Sequence, residues 1–171
     1  MKKLVVFLLI LNFVSSVSYS QLSGGGSAGF FTPLGETTGE TQFGLALMGR
    51  FAVSDEINVG LNFGYYQNSQ SVFGMQFTAF SMPVALTAEY LFSDNEFRPY
   101  GSFDLGLYTF GVRGSGNTNS SSYLAVAPGV GGRYALSRNL DLDVSLKYHL
   151  ILRENNNASF FGTNIGLLYA F

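Results

Sequence analysis

Six charged side chains interrupt rows of small, uncharged residues. Arg50, Glu89, Arg133 and Asp143 each lie about four residues from a short polar turn, and Asp104 and Lys147 lie farther from theirs. All six occupy the row opposite the apolar residues of their own stretch. At a strand rise of about 3.3 Å, the first four share one depth and the other two stand one layer away. Two cations with two anions, then one of each, is a balanced set. Unpaired ions in a narrow interior are costly, so the spacing predicts salt bridges. Two kinds of chemistry fit: a static ion-pair plug, or a gated path for protons or ions. The plug is the preferred reading.

His149 is the single histidine, and there is no cysteine. It falls on the same polar row, beside Arg153 and within reach of Ser145. A serine hydrolase needs an imidazole base next to the hydroxyl and an acid to orient it. In a lipid-modifying enzyme that set would face the lipid, whereas His149 faces the other way and no matching motif is present. A histidine in an interior hydrogen-bond network is the expectation. One histidine without thiols argues against a dedicated transition-metal site. Gly129-Val130-Gly131-Gly132 lacks the third glycine of a dinucleotide loop, and no Walker lysine follows. The expected reading is no catalytic residue, no metal and no cofactor.

The stretches that position these residues alternate with period two. Residues 42–53, 57–67, 75–92, 97–112, 122–136, 140–153 and 160–171 each carry one apolar row and one small or polar row. In the last stretch Phe171, Tyr169, Leu167, Ile165, Thr163 and Phe161 form the apolar row. Residues 21–32 make an eighth strand, but Gly24-Gly25-Gly26 hides its faces. Pro83 cannot donate to a ladder, so a bulge or local break is expected there. Short turns at 54–56, 93–96 and 137–139 alternate with longer polar loops at 33–41, 68–74, 114–121 and 154–159. Outward aromatics such as Phe43, Tyr90, Tyr134 and Tyr148 recur towards strand ends, as in interfacial girdles.

Composition decides which row faces out. Hydrophobic residues make up 47% of the 171 and charged residues only 12%, against about 25% charged in soluble domains. A soluble barrel would turn the polar rows outward, yet several of those rows are mainly Gly, Ala and Asn. Lipid accepts the apolar rows, and it offers no hydrogen-bond partners, so the sheet must close on itself. The expected fold is all-β: an eight-stranded antiparallel up-and-down transmembrane β-barrel. Eight strands leave a lumen just wide enough for side chains to fill.

Residues 1–20 read as a cleavable signal peptide: Lys2 and Lys3, an apolar run from Leu4 to Val14, then Ser18-Tyr19-Ser20 before the cut. The run is roughly half the length that a spanning helix needs. Residues 21–171 are then one barrel domain. The net charge of −2, or −4 without Lys2 and Lys3, argues against a nucleic-acid partner.

The chain resembles the small OmpA/OmpX-type outer-membrane β-barrel proteins of Gram-negative bacteria. The resemblance spans the whole chain after the leader. Its most specific part is Leu167-Leu168-Tyr169-Ala170-Phe171, with Arg98-Pro99-Tyr100-Gly101 and Ala127-Pro128-Gly129-Val130-Gly131 as weaker segments. It implies a location in the outer membrane, contact with outer-membrane lipid, and a C-terminal signal at Leu167, Tyr169 and Phe171 read by the barrel assembly machinery. Peptidoglycan binding through a following domain is not expected. A non-enzymatic structural or surface-contact role, with a filled lumen, is the leading expectation. A narrow channel is the alternative, and a lipid-modifying enzyme comes third.

Overall fold

The computed structural model describes residues 22–171 apart from 36, 38, 73, 74, 115, 116 and 155. The signal peptide assigned to residues 1–20 lies outside the described residues. Eight strands follow in order: β1 (Leu22–Leu34), β2 (Gln42–Ala52), β3 (Ile57–Val72), β4 (Met75–Leu91), β5 (Phe97–Gly114), β6 (Asn117–Ala135), β7 (Leu140–Leu152) and β8 (Ala158–Ala170). Each pairs antiparallel with the next, and β1 pairs back with β8, so the sheet is a closed barrel. This is the up-and-down architecture that the alternation predicts. Closure leaves the barrel wall without a free edge, the condition for a sheet surrounded by lipid.

The apolar rows point outward. Leu47 is 65% exposed, Leu61 59%, Leu107 59% and Val130 59%. Water would disfavour such a surface; a bilayer matches it. The polar rows point into the lumen, where Arg50, Glu89, Arg133 and Asp143 are all buried.

Three local features differ from, or complete, the sequence reading. Residues 68–72 and 117–121 are not loop: they continue β3 and β6, and their hairpins pair out to Val72↔Met75 and Gly114↔Asn117. Their polarity marks strand that has cleared the lipid. Hydroxyls meet across the ladder there, Ser69 with Thr78 at 2.9 Å and Thr109 with Ser122 at 2.7 Å. By contrast, pairing of β1 with β2 stops at Phe31↔Gln42 and of β7 with β8 at Ile151↔Ala158. The β3–β6 side therefore stands taller than the β7–β8–β1–β2 side.

Pro83 introduces no bulge. The β3–β4 register is the same on either side, Phe63↔Val84 and Tyr66↔Ser81, and the ladder lapses only where Pro83 lacks its N–H. Gly64 opposite makes room for the ring, since a Cβ there would sit 2.9 Å from Pro83 Cγ. The faces of β1 are now defined. Ser27 and Phe31 point inward and Phe30 outward, with Phe31 1% and Phe30 52% exposed.

Candidate functional site in the lumen and outer mouth

Strand parity delivers the charged side chains to the lumen, and pairing register stacks them in layers. Nearest the short turns, Arg98 donates to Asp141. Above them Glu89 on β4 accepts from two arginines at once. Arg50 Nε lies 2.6 Å from Glu89 Oε1, and Arg133 Nη2 lies 2.5 Å from Oε2. Arg133 also reaches Asp143 through Nε at 2.9 Å. Tyr100 donates its hydroxyl to the same carboxylate, and its ring lies 5.0 Å beneath the Arg133 guanidinium carbon. Arg50 also donates from Nη1 to the carbonyls of Gly49 and Leu61.

The next layer is built around Asp104. Lys147 Nζ donates to Oδ2 at 2.6 Å, Thr87 Oγ1 to Oδ1 at 2.6 Å, and Asn62 to Oδ2 at 3.2 Å. The structure thus brings Arg50, Glu89, Arg133 and Asp143 into one layer, and Asp104 and Lys147 into another. Glu89 and Asp104 are each 3% exposed. At that burial, opposite charge and satisfied donors are needed to hold an ion. Arg98 and Asp141 form a further pair that the sequence reading left out, although alternation alone puts both on the inner row.

Aromatic rings fill the upper lumen. Phe31 stacks on Phe160 with centroids 4.5 Å apart and 13° between planes, and it touches Tyr66 and His149. Tyr66 donates to Asn164 at 2.7 Å. The partner of His149 is the Tyr108 hydroxyl, 2.8 Å from Nδ1, rather than Ser145. Its Nε2 is turned to Gly162, where a Cβ would sit 2.5 Å away. Alternation puts Tyr66, Tyr100 and Tyr108 on the inner row, where all three are buried, but carries no signal of their partners. A cavity of about 50 Å³ remains between the charged and aromatic layers, room for a small number of waters.

Above the aromatic layer the barrel opens into a mouth of about 1210 Å³. The β1–β2 loop forms part of its rim. Positive φ at Gly35 (61°) and Gly39 (137°) lets the chain turn there. Thr37 Oγ1 accepts from Ser159 N at 3.0 Å, and Asn68 donates to Thr41 O at 2.9 Å, which tie this loop to β8 and β3.

At the opposite end, Leu167, Tyr169 and Phe171 face outward, Phe171 60% exposed. Tyr169 and Phe171 meet edge to face at 5.4 Å, and Phe171 N donates to Leu22 O at 3.0 Å. The last residue thus fastens to the first strand.

Residues 5–171 match the family described as outer membrane protein beta-barrel domain. No curated protein matches the chain. Among solved structures it is similar to Neisserial surface protein A, with 18% identity over 88% of this chain and 97% of that one and a TM-score of 0.74. It is similar to Ail, the attachment invasion locus protein of Yersinia pestis, with 18% identity over the same shares and a TM-score of 0.59. The N-terminal β-barrel domain of Pseudomonas aeruginosa OprF shares 18% identity over 86% of this chain and 97% of that one, with a TM-score of 0.55. At such identities the likeness is one of fold.

Proposed function

Because the chain belongs to the outer membrane protein beta-barrel family, and so lies in the outer membrane with lipid around it, we propose that it is a non-enzymatic barrel closed by its own side chains. Its work is done by the surface at the outer end, in contact with molecules outside the cell. The observation that carries this reading is the pairing inside the lumen. Glu89 holds Arg50 and Arg133 while Asp104 holds Lys147, all nearly sealed from solvent. Ions fixed in this way fill the bore, and the Phe31–Phe160 stack covers them from the outer side. At the inner end, Leu167, Tyr169 and Phe171 serve as the signal read by the assembly machinery, and residues 1–20 as the export leader.

Planar-bilayer recording tests the closure. Wild-type protein is expected to show no large stable conductance, and Arg133→Ala is expected to add brief openings by removing the cation that Glu89 and Asp143 share. A large, persistent open state in the wild type overturns the reading in favour of a channel.

A further inference from the structure

We propose that the outer mouth is a binding site for a short saccharide that carries a carboxylate, with Arg153 as its anion contact. This rests on the surface-contact reading above and gives that surface a ligand class.

Arg153 differs from the lumen cations. Arg50, Arg98, Arg133 and Lys147 each hold a carboxylate. Arg153 has no carboxylate within salt-bridge distance among the described residues. Its guanidinium lies instead over the rings of Tyr123, at 4.8 Å, and Phe110, at 5.8 Å. Stacking of this kind leaves the edge N–H groups free, and that edge fits a planar carboxylate in bidentate fashion.

The floor beside it is flat and firmly backed. Phe110 stacks on Phe160 at 5.2 Å with 20° between planes, and Phe160 rests on Phe31. Phe31 and Phe160 are buried, so the half-buried rings of Phe110 and Tyr123 offer the surface for the C–H side of a pyranose. A second, independent feature points into the same mouth. Gln42 is 8% exposed, lines the cavity, and has no hydrogen-bond partner for Oε1 among the described residues. Buried amides are ordinarily satisfied. Short amides such as Asn119 and Asn157 complete the wall, donors and acceptors at the scale of sugar hydroxyls.

The same lining disfavours two other anions. A fatty acid needs continuous apolar walls, and here amides interrupt them. A polysulfated chain needs a dense cationic field. In the sequence of the outer-end segments Arg113 and Arg153 stand against Glu36, Glu40 and Glu154, and Arg113 lies over Phe80 on the outward face. A mouth whose segments are slightly acidic disfavours a polyanion and leaves Arg153 to hold a single carboxylate on an otherwise neutral sugar.

The test uses the full barrel in phospholipid nanodiscs free of lipopolysaccharide, titrated calorimetrically with a glucuronate-bearing disaccharide. Its neutral glucose counterpart, a polysulfated disaccharide and decanoate serve as comparisons. The acidic disaccharide is expected to bind best, and Arg153→Gln to weaken it at least about tenfold while leaving the neutral sugar unchanged. Gln42→Ala should weaken both sugars. Both positions lie at the rim, and a heat-shift gel verifies that each variant is folded. Absence of binding, indifference to Arg153→Gln, or preference for decanoate or the polysulfated sugar overturns the proposal. Repeating the titration with lipopolysaccharide in the disc identifies the source. Competition assigns the site to the membrane's own glycan, and unchanged affinity to a glycan from outside. Conductance is measured on the same preparations. A closed barrel that binds no sugar defeats this proposal alone, whereas an open pore defeats the surface-contact reading.

Discussion

Glu89 is the side chain on which the charged layer depends. Among the described residues it alone in that layer pairs with both arginines, so its removal leaves Arg50 with no carboxylate and Arg133 with Asp143 alone in a sealed bore. Glu89→Ala is expected to cost about 3–5 kcal/mol, read from urea unfolding in lipid vesicles. Replacing the whole layer by apolar residues of similar volume should cost far less, because the ions then need no partners. The membership of this layer was legible in the sequence, since alternation assigns the face and distance from a turn assigns the depth. Partnership was not. Tyr108 meets His149, and Tyr66 meets Asn164, across a lumen whose stagger is set only when all eight strands are paired. Parity says that a side chain points inward; it does not say which strand stands opposite at that height.

At the level of strands, the outward row changes character along its length, and this change locates the bilayer. Leu47, Leu61 and Leu107 lie in the apolar band, whereas Ser69 and Ser122 belong to the extensions above it. Leu47→Arg is expected to destabilise the barrel by about 2–4 kcal/mol in vesicles. Ser122→Arg should stay within about 0.5 kcal/mol, because it adds a charge where water already is. A comparable loss at both positions would refute the placement of the band. The same composition change explains why residues 68–72 and 117–121 read as loop. Asn, Ser and Gln signal irregular structure in a chain judged by polarity, but strands leaving lipid acquire those residues while their ladders continue. Loss of Phe171 is a different kind of perturbation. Its backbone contributes one ladder bond, to Leu22, so the finished barrel should change little in stability. Its deletion should slow the appearance of the heat-shifted form in a pulse-chase, as expected for an assembly signal. An unchanged rate would remove that role from Phe171.

Over the whole molecule, the eight-strand count and the closed architecture could be read from the sequence, and the joint that closes it could not. Glycines at 24, 25, 26 and 29 carry no side chain to mark a face. The paired β1 and β8 show why they are there: at Gly25 a Cβ would lie 2.0 Å from the carbonyl oxygen of Leu167, and at Gly166 one would lie 2.4 Å from that of Gly26. This joint also differs in kind from the seven others. Those are hairpins, whose halves are neighbours in the chain and meet quickly. Ser23 and Ala170 come from opposite ends. Contacts between distant segments are the slow ones, because the chain entropy they remove must be lost before they give anything back. Until they meet, the protein is an open strip with two bare margins in a solvent that satisfies neither. The pace of its biogenesis is therefore expected to be set by one seam, whose halves are the first and the last strands of the barrel.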